Sequence, residues 1–144
     1  MLGHDVLYDS HATDNALLDL AIRDGFVLLT RDEELHQRAL ARKIPALLVA
    51  RQTEEERLAE IARRFHIPLV VNMTHTRCPK CGASLQEVSK EKIAERVHPA
   101  SLKAYDQFWQ CEEPKCEKVY WMGSHWKQIH TTLTRAKQLL DQDA

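Results

Sequence analysis

Short apolar runs alternate with amphipathic stretches over the first 71 residues. The runs predict strands at residues 5–8, 26–30, 46–49 and 68–71. The run at 26–30 is almost wholly apolar, which is typical of a strand buried on both faces. Apolar residues at helical spacing predict a helix in each interval between the runs. This alternation favours an α/β layer with a mainly parallel sheet.

Capping residues indicate where these helices begin and end. Either Thr13 or Asp14 is suited to the N-cap of the first helix, and Gly25 is suited to its C-terminal end. The second helix is predicted at about residues 32–42. The third opens on a Thr-Glu-Glu-Glu sequence at residues 53–56, which is the pattern of a capping box.

The pattern changes after the fourth predicted strand. Residues 76–123 hold all four cysteines, and a polar, helix-like segment at 89–96 interrupts them. A final helix is predicted at 124–140. Its apolar face consists of Trp126, Ile129, Leu133, Ala136 and Leu140. We therefore predict an α/β domain at residues 1–73 and a second domain at 74–144.

The four cysteines form two close pairs. Cys78 and Cys81 are separated by two residues, and Cys111 and Cys116 by four. Two such turns supply the four thiolates of a closed tetrahedral zinc site. Two buried or redox-active dithiols are the alternative, but they do not explain why the cysteines cluster in a segment that is poor in aliphatic residues. The spacing favours a zinc ribbon with a structural zinc ion.

The charge of the chain excludes few classes of protein. The net charge is −1, with 9 Lys/Arg against 12 Asp/Glu in residues 1–76 and 11 against 9 in residues 77–144. Neither part has the strong excess of Lys and Arg that indicates nucleic-acid binding. No apolar run is long enough to span a membrane, and the first residues do not have the pattern of a secretion signal. We therefore expect a cytoplasmic protein.

Carboxylates follow or adjoin the predicted strand ends. Asp9 follows the first strand, Asp14 opens the first helix, and Asp32 comes two residues after the second strand. Acids that meet at this edge of a sheet could hold Mg²⁺ or Mn²⁺, ions that activate water and stabilise phosphoryl charge. The alternative role is structural, because Asp14 and Asp32 are also suited to cap helices.

These segments together resemble the Mut7-C family, which joins a PIN-like ribonuclease domain to a C-terminal zinc ribbon. The resemblance covers nearly the whole chain. It rests on the sequences LGHDVLYD from residue 2, DNALL from residue 14, VLLTRD from residue 27, FWQC from residue 108 and VYWMGSHW from residue 119.

The resemblance implies metal-dependent hydrolysis of phosphodiester bonds, with RNA as the substrate. By position, Asp14 and Asp32 correspond to two of the family's catalytic acids, assisted by Asp9 or Glu33. They would bind Mg²⁺ or Mn²⁺. Arg31 would contact a phosphate.

The sequence departs from the family pattern in two ways. The second cysteine pair is spaced by four residues where the family usually has two. Family members also begin with an acid-bearing strand and a helix that ends in Leu-Gly, whereas this sequence starts at the equivalent Leu2-Gly3. We therefore expect weak or absent nuclease activity. We also expect a protein partner, a ribosome or a second copy to cover exposed strand edges.

Aromatic residues in the second half suggest a surface that binds RNA. Tyr120, His125 and Lys127 are the candidates, while Trp109 and Trp121 are more consistent with a small core. Two other functions remain open at this stage. One is a non-catalytic module that binds RNA or ribosomes, and the other is the toxin of a toxin–antitoxin pair.

Overall fold

The computed structural model describes residues 1–142 as two compact units. One unit contains Leu7–Ile67 and residues 138–142, and the other contains Met1–Val6 and Pro68–Lys137. The first is called the α/β unit here and the second the cysteine unit.

The α/β unit is built on two parallel strands. Its elements are α1 (Asp14–Asp24), β1 (Leu28–Thr30), α2 (Glu33–Ala41), β2 (Ala46–Leu48) and α3 (Glu54–Phe65). Strands β1 and β2 pair in register from Leu28 opposite Ala46 to Thr30 opposite Leu48. A buried apolar cluster links α1 and α2 to this sheet: Leu18, Ala21, Leu28, Leu35, Ala39, Ile44 and Ala46. The predicted mixed α/β architecture with a parallel sheet is confirmed.

The predicted helix starts are also confirmed. Thr13 is the N-cap of α1 and accepts a hydrogen bond from the Ala16 amide at 3.1 Å, so Asp14 is the first helical residue. Asp32 caps α2 through Oδ1, which accepts from the Leu35 amide at 3.0 Å. A full capping box opens α3, with 3.2 Å hydrogen bonds in both directions between Thr53 and Glu56.

Two of the predicted strands are wrong. Residues 5–8 and 68–71 form no strand, and Val6 and Tyr8 are 75% and 88% exposed. A β-strand needs backbone hydrogen bonds to a neighbouring strand, and apolar side chains alone do not supply these bonds. The strand expected at 26–30 is confined to Leu28–Thr30. Its expected burial on both faces is also wrong, because Leu29 is 46% exposed.

The cysteine unit contains a three-stranded antiparallel sheet in the order β3-β4-β5. Its elements are β3 (Leu85–Val88), α4 (Lys90–Ile93), α5 (Pro99–Ala104), β4 (Phe108–Cys111), β5 (Val119–Tyr120) and α6 (Ser124–Gln142), whose last residues belong to the other unit. Leu85 lies opposite Cys111, and Trp109 lies opposite Tyr120. The sheet therefore brings the two halves of the cysteine constellation together.

The helices of this unit differ in part from the prediction. The helix expected at 89–96 is a single turn, and α5 was not predicted. The long α6 is confirmed, with Leu133 and Ala136 buried on its apolar face. The strand β3 was also missed, because its two central residues, Gln86 and Glu87, are polar and exposed.

Within the cysteine unit, hydrogen bonds join the first residues of the chain to residues 76–77. The Met1 carbonyl accepts a hydrogen bond from Thr76 Oγ1 at 2.8 Å, and the Gly3 carbonyl accepts from Arg77 Nε at 3.3 Å. Gly3 has φ +89°, and a Cβ at this position would lie 2.9 Å from the His75 carbonyl oxygen. The Leu2-Gly3 sequence therefore requires glycine for a close backbone approach.

None of the helices in residues 1–142 combines the length and the apolar character needed to cross a membrane.

Candidate metal centre

The first cysteine pair is held by a tight turn. The Gly82 amide donates to the Cys78 carbonyl at 2.8 Å, and the Cys78 amide donates to the Ala83 carbonyl at 2.7 Å. Gly82 follows Cys81 in the left-handed region, with φ +81°. Both thiols therefore leave the same side of a turn that an L-residue at position 82 would strain.

The second pair repeats this turn with a longer loop. The Cys116 amide donates to the Glu113 carbonyl at 2.9 Å, and the Cys111 amide donates to the Lys118 carbonyl at 2.9 Å. Glu117 follows Cys116 with φ +48°, the same left-handed position that glycine occupies in the first turn. The two extra residues of this pair are thus absorbed in the loop, and the thiols still converge.

An arginine binds the left-handed residue of each turn. Arg77 Nη1 donates to the Gly82 carbonyl at 3.0 Å, and Arg96 donates to the Glu117 carbonyl. Each guanidinium satisfies a carbonyl that the turn leaves without a strand partner.

The four sulfur atoms have the arrangement of a tetrahedral site. All four Sγ atoms lie within 4.8 Å of one another, with Cys78 and Cys116 at 3.9 Å and Cys81 and Cys111 at 3.3 Å. Zinc–sulfur bonds of about 2.3 Å correspond to sulfur–sulfur distances of about 3.8 Å. The donor set fits a metal ion such as zinc. The proximity of the four sulfur atoms also argues against two separate dithiols, because all four are within reach of one ion.

Hydrogen bonding prepares one of these thiols to lose its proton. Burial raises the pKa of Cys78, but hydrogen bonds from the Tyr120 hydroxyl, at 3.1 Å, and from the backbone of Cys81 and Lys80 outweigh burial and lower the pKa to about 6. Burial and the Cys78 sulfur raise the pKa of Tyr120, so the phenol remains the donor.

Cys111 has the opposite environment. Its burial raises the pKa of the thiol to about 12, and the adjacent sulfur atoms of Cys78, Cys81 and Cys116 contribute to the increase. A bound cation reverses this preference, because it stabilises the thiolate directly. The centre is therefore suited to a metal-bound state.

The acids predicted to be catalytic lie in the α/β unit. Asp32 caps α2, and Asp9 Oδ1 accepts a hydrogen bond from the His11 amide at 2.9 Å. Asp14 lies 3.7 Å from Arg38 Nη1. Within residues 1–142, the cysteines form the only group of three or more potential metal ligands that lie close together. The catalytic and Mg²⁺- or Mn²⁺-binding roles of Asp9, Asp14 and Asp32 stay predictions.

The candidate RNA contacts fall in both units. Arg31 is exposed directly before the α2 cap, whereas Tyr120 is half-buried with its hydroxyl on Cys78 Sγ. His125 and Lys127 are exposed in the first turn of α6. RNA binding by these residues stays a prediction.

An aromatic groove that the sequence did not reveal lies on the cysteine unit. It contains all three tryptophans and all three methionines of the chain, namely Trp109, Trp121, Trp126, Met1, Met73 and Met122. Tyr120, His125 and Ile129 complete its lining. The only available signal was the clustering of aromatic residues at 109–126, since Met1 and Met73 reach the groove through the tertiary fold.

The fold and the sulfur centre define a mixed α/β protein whose cysteine unit is compatible with a zinc ribbon. The family model described as "Mut7-C RNAse domain" matches residues 1–133. The chain therefore belongs to the Mut7-C family, as its sequence motifs predicted. Comparison with curated proteins and with solved structures gives no match.

We expect zinc to be required for the fold of the cysteine unit. Removing it with a chelator should unfold residues from about 76 to 123 and leave α1–α3 largely intact, because metal-binding free energy is folding free energy in small sites. The Cys81→Ser variant should lower zinc affinity by more than about 100-fold, since even partners of ligands contribute about 10–100-fold. Zinc titration and hydrogen exchange measure these effects. Full protection of residues 76–123 without metal would contradict the expectation.

The Tyr120 hydroxyl should strengthen the centre through Cys78. We expect Tyr120→Phe to reduce zinc affinity by about 10–100-fold, because the thiolate loses a hydrogen-bond donor. Tyr105→Phe removes a hydroxyl from a half-buried tyrosine of the same unit and is the matched control. Competition with a colorimetric zinc chelator provides the measurement. Equal affinities of the two variants would show that the hydroxyl does not support the site.

The left-handed residues of the two turns should tolerate substitution differently. Gly82→Ala should destabilise the zinc-loaded protein by about 1 kcal/mol, because a Cβ is unfavourable at this φ. A Cβ there has no neighbour within 4 Å, so backbone conformation is the only cause. Glu117→Ala is the control and should change stability by less than about 0.5 kcal/mol. Denaturant unfolding at saturating zinc compares them.

Proposed function

We propose that this protein is a metal-dependent ribonuclease in which the α/β unit is PIN-like and the cysteine unit binds the RNA substrate. The observation that carries the proposal is the family match over residues 1–133. It accords with carboxylates at the starts of two adjacent helices in the α/β unit. No contact among residues 1–142 favours the toxin hypothesis.

Asp14 and Asp32 are proposed to hold Mg²⁺ or Mn²⁺, with Asp9 or Glu33 in assistance. Their oxygen atoms are the hard ligands that these cations prefer. When bound, such a cation supplies charge stabilisation for an in-line displacement at phosphorus.

The side chains of the α/β unit would orient the substrate and the acids. Arg38 contacts both Asp14 and the Asn15 side chain, so the Asp14 carboxylate lies next to α2. Arg42 and Asp19 repeat this contact at 3.4 Å further along the same two helices. Arg31 immediately precedes Asp32 and is exposed, and we propose that its guanidinium contacts a phosphate.

A specific observation favours a second function, non-catalytic binding of RNA or of a ribosome. The described acids do not form a close group of three potential ligands. Asp14 already pairs with Arg38 Nη1 at 3.7 Å, so a cation at Asp14 would have to compete with this guanidinium.

Asp32→Asn tests the proposed nuclease most sharply. Asparagine is as good an N-cap as aspartate, so this variant removes the charge and retains the cap. We expect slow cleavage of single-stranded RNA that depends on added Mg²⁺ or Mn²⁺ and falls by more than about 100-fold in the variant, since aligned groups and cations stabilise the reacting phosphate strongly.

Stability measurements separate the two roles of Asp32. Asp32→Asn should unfold like the parent protein, whereas Asp32→Ala should lose about 1 kcal/mol through the missing cap. Cleavage that persists in Asp32→Asn would exclude Asp32 from the reaction. RNA binding without any metal-dependent cleavage by the parent would favour the non-catalytic function.

A further inference from the structure

We propose that the aromatic groove is a subsite for an unpaired RNA base, in which the base stacks on Trp126 and an adjacent phosphate is held by Lys118 and the start of α6. This inference deepens the proposed function, since it rests on RNA as the substrate. It concerns binding alone and does not depend on whether the α/β unit cleaves RNA.

All the tryptophans and all the methionines of the chain line this groove. Tryptophan faces and polarisable sulfur atoms bind a flat π-system well. No carboxylate of the described residues lines the groove. The lining is therefore compatible with a base and with the negative charge that accompanies it.

Three of the lining rings are held in place by other contacts. Trp121 packs against Phe108, with ring centroids 5.8 Å apart, and its Nε1 would lie 2.9 Å from a Cβ at Gly123. Tyr120 is anchored by the bond between its hydroxyl and Cys78 Sγ at 3.1 Å. Trp109 is only 5% exposed and belongs to the core beside the cysteines. These contacts prepare an ordered apolar surface before a ligand binds.

Trp126 is the ring that remains for a ligand. It lies half-buried in the first turn of α6, and within residues 1–142 it forms no stacked or tilted pair with another aromatic ring. Its neighbours on the helix, His125 and Lys127, are exposed. Trp126 rather than Tyr120 is therefore the residue to which we assign stacking.

Positive charge beside the groove favours RNA over an apolar peptide as the ligand. Lys118 Nζ lies 5.5 Å from the centroid of the Tyr120 ring, which is part of the lining. His125, Trp126 and Ile129 come from the first turns of α6, a helix of 19 residues whose amino end adds partial positive charge. A base with its phosphate matches both the rings and the charge, whereas an apolar peptide would match only the rings.

The test uses the zinc-loaded full chain and two probes without added divalent cation, so that cleavage does not interfere. The probes are a short single-stranded oligouridylate and an abasic ribose-phosphate chain of equal length. Every tryptophan lies in the groove, so base binding should quench intrinsic fluorescence, and the abasic probe should not. Fluorescence anisotropy of labelled probes gives the affinities.

Substitution of Trp126 distinguishes stacking from general apolar contact. Trp126→Leu should weaken oligouridylate binding by about 5- to 100-fold and leave the weak abasic binding unchanged. Trp126→Phe retains a ring and should lose less than about 5-fold. Zinc content and circular dichroism equal to those of the parent protein establish that each variant is folded. If Trp126→Leu disturbs the fold, Trp126→Phe still tests the inference.

Two outcomes would overturn the inference. One is equal oligouridylate affinity for Trp126→Leu and the parent, and the other is equal affinity of the parent for the abasic and uridylate probes. An apolar peptide that quenches tryptophan fluorescence when oligouridylate does not would assign the groove to a protein partner instead. Loss of cleavage in Asp32→Asn bears only on the nuclease, so the subsite and the catalytic proposal can fail separately.

Discussion

Convergence of four cysteine sulfur atoms on one point is the constraint on which the cysteine unit depends. The sheet β3-β4-β5 has only two to four residues in each strand, and its apolar core around the sulfur atoms is small. Burying thiolates without a cation is unfavourable, and ordering two turns has an entropic cost. A bound metal ion offsets both, because it stabilises the thiolates by direct coordination and joins two turns that are distant in sequence.

The contacts around this centre extend into the rest of the unit. Arg77 binds the Gly82 carbonyl of the first turn and also the Gly3 carbonyl, so the same side chain joins the metal centre to the first residues of the chain. Tyr120 has its hydroxyl on Cys78 and its ring in the aromatic groove. A structural metal ion can therefore determine the shape of the proposed RNA subsite without contacting RNA itself.

The α/β unit illustrates how one residue can serve stability and chemistry. Asp32 caps a helix, a role fully explained by its bond to the Leu35 amide. The same position, after a strand and before a helix, is where a carboxylate is exposed at the edge of a parallel sheet. The position of Asp32 does not distinguish its helix-capping role from a catalytic role. The Asp32→Asn substitution distinguishes them, because it preserves only the cap.

The sequence alone determined the features that depend on local chemistry. The caps at Thr13, Asp32 and Thr53 were readable because each involves residues three apart. Cysteine spacing identified the group of four side chains that could hold a metal ion, since a tight turn brings both thiols of each pair to one side. The family motifs likewise extend along nearly all of the chain.

Only the tertiary structure decided the features that depend on distant partners. Residues 5–8 have the composition of a strand but no neighbour with which to pair, whereas β3 has polar central residues and pairs fully with β4. The groove brings Met1 and Met73 beside Trp126, although no spacing connects them. Likewise, Glu117 takes the left-handed conformation that glycine takes in the first turn, which its residue type does not indicate. Strand pairing and the meeting of distant residues depend on the path of the whole chain, so a local sequence pattern does not predict them.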